Sequence, residues 1–253
     1  ENIYIDKIIQ KGYLNVGLPP YTTPPFYYLD QKDKKLKGYD VDIIEGFAKE
    51  IGVDVVFDRD STSFNNLVKR AGAGDFDMAI GKLGTTFKRM SDAHPHEYMN
   101  FRHALLSNRK FVNSLGVSPD NPKYGNELLN SSMKIGFIDR SAYDTYANSL
   151  FINAEKIGFK NWTECKTALL EGKVDAIYRD ATEIKKIVYQ KPNLSIEYVP
   201  ILFDDIIDQK SIFLSTEANT YLADILDYYL KRKEIKTDSE IMKDYSSFYE
   251  PIN

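Results

Sequence analysis

The chain has 253 residues, 43% hydrophobic and 28% charged, an ordinary globular composition that excludes disordered, collagen-like and disulfide-stapled classes. No run of about 18 apolar residues occurs, so no transmembrane helix is predicted. The formal net charge is -4 with acids and bases interspersed, which argues against a nucleic-acid partner, because that needs a basic stripe.

The length fits one large domain or two small ones. Cys165 is the single cysteine, so no internal disulfide forms, and that leaves the compartment open. The chain starts at Glu1 with no Met and no apolar signal core, as a mature form without its targeting segment or a trimmed chain would.

In chain order, Leu14–Gly17 reads as a short strand, followed by a Pro-rich turn through Pro19, Pro20, Tyr21, Thr23, Pro24, Pro25 and Phe26. Gly38-Tyr39-Asp40 opens a helix with Val41, Ile44, Ala48 and Ile51 on one face. Gly52 ends it. Val53–Phe57 is the next strand. Ser63 caps a second helix carrying Phe64, Leu67, Val68 and Ala71. Gly72 and Gly74 close that helix, and Phe76–Ile80 is a strand. Such alternation predicts parallel pairing and an α/β class.

The same grammar returns later. Met133–Ile138 is a strand, and Ser141 with Asp144 fits a capping box on a helix through Leu150. Asn161 or Thr163 opens a helix with Cys165, Leu169 and Leu170, closed by Gly172. Val174–Tyr178 follows as a strand. Gly74–Ile80 thus echoes Gly172–Tyr178, and Leu14–Gly17 echoes Met133–Gly136. The offsets differ, so this is no strict repeat; it predicts two lobes on similar plans. Two such lobes usually hold a ligand between them, at the carboxyl ends of their strands.

The order and spacing of several landmarks carry a resemblance: Leu14–Gly17, Pro24-Pro25-Phe26, Gly38–Asp42, Ala48–Val53, Thr86–Arg89, Gly136 before Ser141, and Gly172–Asp180. Over nearly its whole length the sequence resembles the type II periplasmic solute-binding proteins, family 3, the polar amino-acid branch of ABC importers. The resemblance implies a two-lobed type II periplasmic-binding-protein-like α/β fold with a hinge of two crossover segments. Lobe one would be residues 1–105 plus 209–253, lobe two 108–205, with the ligand cleft between them. Function would be capture of an amino acid or small carboxylate by hinge closure, with delivery to the membrane permease of an ABC importer. The protein would be extracytoplasmic, periplasmic or lipid-anchored before processing, a monomer, without cofactor or metal.

The family clamps a zwitterion. Arg89 matches the guanidinium that pairs the α-carboxylate, a planar two-pronged fit. Main-chain groups of Lys82 and Gly84 match neighbouring contacts. Arg140-Ser141-Ala142 matches a helix-start turn that holds the carboxylate. Asp180 matches the acid for the α-ammonium, and Phe64 an aromatic against the ligand side chain. A second aromatic falls at Thr23, for which Tyr21 or Phe26 could substitute. Lys82 and Arg140 stand where small uncharged residues are usual and tilt the reading toward an acidic or oxygen-rich ligand.

Plainer readings stand beside these. Arg89 fits a surface arginine, Lys82 a solvent-facing lysine, and Ser141 and Asp180 helix caps. Phe64 fits the core equally well. His94, His96 and His103 fall short of a zinc set, and Cys165 reads as core. Two other outputs share the fold: a ligand-sensing receptor domain, and a cyclohexadienyl-dehydratase-like enzyme with Lys82 and Asp180 as cation and general acid.

Overall fold

A computed structural model describes residues 3–216 and 220–252. In chain order its elements begin α1 (Ile3–Lys11), β1 (Tyr13–Gly17), β2 (Tyr28–Leu29), β3 (Leu36–Lys37), α2 (Tyr39–Ile51), β4 (Asp54–Asp58), α3 (Phe64–Gly72), β5 (Met78–Ala79), α4 (Phe87–Asp92) and β6 (His94–Asn108). They continue with α5 (Arg109–Ser114), α6 (Tyr124–Asn130), β7 (Lys134–Ile138), α7 (Ala142–Leu150), β8 (Glu155–Phe159), α8 (Trp162–Leu170), β9 (Ala176–Asp180), α9 (Ala181–Gln190), β10 (Tyr198–Leu214), α10 (Thr220–Lys231), β11 (Lys236–Thr237) and α11 (Asp238–Asp244).

The chain divides into two units, Glu1–Asn100 with Gln209–Lys236 and Phe101–Asp208 with Thr237–Asn253. In the first, β4, β1 and β5 lie parallel, with Leu14 opposite Val55 and Val16 opposite Met78. The end of β10 closes this sheet antiparallel, Phe213 opposite Ala79. Its core holds Leu14, Val16, Ile44, Phe47, Leu67 and Phe213. In the second, β8, β7 and β9 lie parallel, and β6 closes the sheet antiparallel, His103 opposite Asp180. Its core includes Ile135, Phe137, Phe151 and Tyr178.

The two plans correspond strand for strand: β1 with β7, β4 with β8, β5 with β9. The sequence echoes fall on two of these pairs, β1 with β7 and β5 with β9. β7 and β9 are buried along most of their length, while the outer strands β4 and β8 keep exposed positions.

Local signals act as the sequence predicts. Gly52 takes φ 78 as the C-cap of α2, and Ser63 accepts a hydrogen bond from the Asn66 N–H at 3.0 Å. Asn161, the first of the two openers considered, caps α8 by accepting from the Glu164 N–H. Each side-chain cap is worth about 1 kcal/mol.

Four features differ. The strand expected over Val174–Tyr178 is β9, which ends at Asp180 and not Tyr178, because Arg179 and Asp180 pair with Ala104 and His103. Ser141 begins α7 without a side-chain cap. Its Oγ donates instead to the Ile138 carbonyl at 2.6 Å, while Asp144 reaches back to the Arg140 N–H at 3.3 Å.

The third difference is the C-terminal stretch, expected whole in lobe one. Residues 237–252 belong to the second unit, so the chain passes between units after Asn100, Asp208 and Lys236 rather than twice. Arg102 explains this: its N–H and guanidinium both donate to the buried Asp238, at 2.7 and 2.8 Å. Gln190 on α9 also bonds the Phe248 carbonyl and accepts from the Ile252 N–H. The fourth is that residues 101–105, expected in lobe one, fall in the second unit, where β6 pairs with β9 from His103 onward.

Candidate functional site

In the first unit the candidate residues gather at the carboxyl ends of β1, β4 and β5. α3 starts at Phe64 because Ser63 caps it, and that places Phe64 and Asn65 side by side. α4 starts because Thr86 accepts from the Arg89 N–H at 3.0 Å. Arg89 is only 3% exposed, so the surface reading fails. Its Nη1 donates to the Gly84 carbonyl at 2.8 Å, and its Nε and Nη2 donate to Asn65 Oδ1 at 3.1 and 2.9 Å. These oxygens fix the orientation of the guanidinium.

Phe64 is buried, with its ring 5.4 Å from that of Tyr21. Arg59 pins the Pro-rich loop beneath, donating to the carbonyls of Pro19 and Tyr21 at 2.7 and 2.6 Å. Thr23 is buried in the turn, its N–H donating to the Tyr27 carbonyl. Phe26 is fully buried, so Tyr21, not Phe26, is the aromatic beside Phe64. Gly38 is obligatory here: it takes φ +128, and a Cβ would stand 2.3 Å from the Phe26 carbonyl oxygen.

Lys82 does not face solvent. It is 6% exposed, with Nζ 4.4 Å from the centroid of the Phe26 ring, a cation–π contact. Its backbone takes φ 56, and its N–H is shared by Asp40 Oδ2 at 2.9 Å and the Tyr98 hydroxyl at 3.1 Å. Asp40 is fully buried, and burial pushes its carboxyl up to about 7 against the pull of Tyr98, the Lys82 amide and the charges of Lys82 and Lys210.

In the second unit the candidates sit at the carboxyl ends of the neighbouring parallel strands β7 and β9. Ser141 and Ala142 are buried at the start of α7. Arg140 takes φ 52, with its side chain 66% exposed and Nε 3.6 Å from Asp139. Asp180 is fully buried and caps α9: Oδ1 accepts from the N–H of Thr182 at 3.0 Å and from its hydroxyl. The capping reading of Asp180 is therefore correct, and its solvated form is not.

Sequence reasoning missed the groups that hold α7 and the first-unit loops. Tyr143 and Tyr146 both donate to the fully buried Asp208, at 2.7 and 3.1 Å. His103, set aside as an incomplete zinc ligand, bonds the Tyr178 hydroxyl and stacks near both tyrosines. His96 bonds Asp227 at 2.6 Å. The spacing of Tyr143 and Tyr146 beside Ser141 is a signal; Asp208, Asn65 and Arg59 had none.

Bacterial extracellular solute-binding proteins, family 3, match residues 14–112. The L-cystine-binding protein TcyA of Bacillus subtilis is 24% identical over 238 residues, 93% of this chain and 81% of that protein. The amino acid ABC transporter substrate-binding protein AbpA from Streptococcus pneumoniae, solved bound to L-arginine, superposes with a TM-score of 0.71 at 21% identity, over 96% of this chain and 94% of that one. The ancestral amino acid-binding protein AncCDT-1, a precursor of cyclohexadienyl dehydratase, gives 0.69 at 20% identity, over 96% and 95%.

Proposed function

We propose that the chain is a bacterial extracellular solute-binding protein of family 3, whose model matches residues 14–112, and that it captures an amino acid outside the cytoplasm and hands it to the permease of an ABC importer. The ligand's α-carboxylate pairs with Arg89. The carboxylate also takes the N–H groups of Ser141 and Ala142, which open α7 and so present unsatisfied donors. Asp180 receives the α-ammonium, and Phe64 with Tyr21 covers the side chain.

The observation that supports this best is the setting of Arg89. Arg89 is 3% exposed, and the Gly84 carbonyl with Asn65 Oδ1 holds its guanidinium in one orientation, the pre-set fork that a carboxylate clamp needs. TcyA is named for cystine and AbpA was solved bound to arginine, ligands that share the α-amino-acid head. That fits a clamp on the head group.

Lys82 is the residue read as biasing the ligand's side chain toward an acid, because it stands where the resemblance has a small uncharged residue. Arg140 contributes less, because its exposed side chain lies near Asp139. The protein is read as a binder and not a catalyst, like the binding proteins it resembles. Prephenate and arogenate should give no product.

A thermal-shift screen of the amino acids tests the reading. A true ligand at 100 times its Kd adds about 2.7 kcal/mol of stability. If no amino acid raises the melting temperature, the proposal fails.

A further inference from the structure

The second unit contains a cavity of about 230 Å³ that none of the proposed amino-acid contacts line. It lies between α8, the C-terminal half of α9 and the 3-10 turn after α9. Asp180 caps the other end of α9, about 15 Å away along the helix axis. Leu106, Leu169, Ile177 and Leu194 make an apolar lining, with Lys166 and Lys191 in the wall. The volume exceeds the roughly 150 Å³ of an apolar cavity that admits benzene, so a ring or a short alkyl chain fits.

The charge around it is one-sided. Lys166 is half-buried, and burial holds its ammonium below the ordinary lysine value. Arg179, Lys186 and Lys191 add like charge around it, opposed by Glu183. Glu183 is already divided between Arg179 at 3.8 Å and Lys186 at 3.5 Å. Among the described residues neither Lys166 nor Lys191 forms an ion pair. Lys166 and Lys191 in the wall of an apolar cavity are complementary to an anion with an apolar body.

We propose that this cavity is a second ligand site, for a small amphipathic carboxylate whose alkyl or aryl body rests on Leu106, Ile177 and Leu194 and whose carboxylate meets Lys166 and Lys191. The site acts independently of Arg89 and of the amino-acid ligand.

Calorimetry on the intact protein with octanoate and 1-octanol tests it, the two probes sharing a chain and differing in charge. Octanoate should bind saturably and about tenfold more tightly than octanol, the scale of one charge-assisted contact. The double variant Lys166→Met, Lys191→Met should erase that preference while octanol still binds. Thr167→Trp, an exposed lining position filled by a large ring, should abolish both, with circular dichroism reporting an intact fold. Arg89→Ala should leave octanoate binding unchanged. The proposal is overturned by any of four outcomes: no saturable binding, equal affinity for the two probes, a preference that survives removal of both lysines, or loss of octanoate in Arg89→Ala.

Discussion

Arg89 owes its position to two oxygens from separate elements, Gly84 on the loop after β5 and Asn65 on α3. Replacing it with Ala removes the ion that pairs the carboxylate and should weaken amino-acid binding by about a hundredfold or more. The fold should survive, at a cost of about 1 kcal/mol for the lost hydrogen bonds. Asp40 makes a different prediction. Its carboxyl titrates at about 7 in the folded protein, against 3.8 as its ordinary value. Between those values the folded state holds a proton that the unfolded state has released. Stability from this group is therefore full below about pH 4 and falls as pH rises toward 7, a span on the order of 3–4 kcal/mol. His96 opposes it: burial lowers its value, so its contribution falls as pH drops below 6.5. Denaturation at pH 5 and pH 8 should show a loss on going to pH 8 that is larger in the parent than in Asp40→Asn. Equal losses would remove Asp40 as the source. Arg89 and Lys82 were visible in the sequence through their places in a pattern. Asp40 was visible only as a helix opener, because its burial depends on Tyr98, Lys82 and Lys210, which come from distant segments.

At the scale of elements, caps and glycines were legible because each acts within a few residues. Ser63, Asn161 and Gly52 behave as their types require. Ser141 did not, since its hydroxyl found the Ile138 carbonyl first. The long strands β6 and β10 escaped notice: each carries charged and polar residues in a run too long for one buried strand. Thr86→Ala should cost about 1 kcal/mol by loss of the α4 cap, and should also weaken ligand binding because Arg89 rides on that helix. Binding unchanged at reduced stability would separate α4 from the clamp. Arg140 tests the backbone. It holds a left-handed φ of 52 with an exposed side chain, at a position where the resemblance has Gly. Arg140→Gly should raise stability by up to about 1 kcal/mol in urea denaturation, since it relieves the Cβ clash and gives up little packing. A loss would mean that Arg140 makes more of its Asp139 contact than its exposure suggests.

Across the whole molecule, the doubled strand plan was readable from two short echoes, one of them the Gly-x-apolar-Asp-apolar pattern that leads into both β5 and β9. The membership of the last residues was not. It rests on Arg102 and Asp238, 136 positions apart, and nothing local marks that pair. Asp238→Ala should strand the Arg102 groups and cost on the order of 2–3 kcal/mol, with hydrogen exchange rising first in 237–252. The central claim is that this protein holds an amino acid by its head group through Arg89. Titration calorimetry of the parent and Arg89→Ala with the best amino acid from the thermal-shift screen tests it most directly. Saturable binding in the parent and a loss of about a hundredfold or more in a folded Arg89→Ala is the predicted result; equal affinity in the two proteins would contradict it.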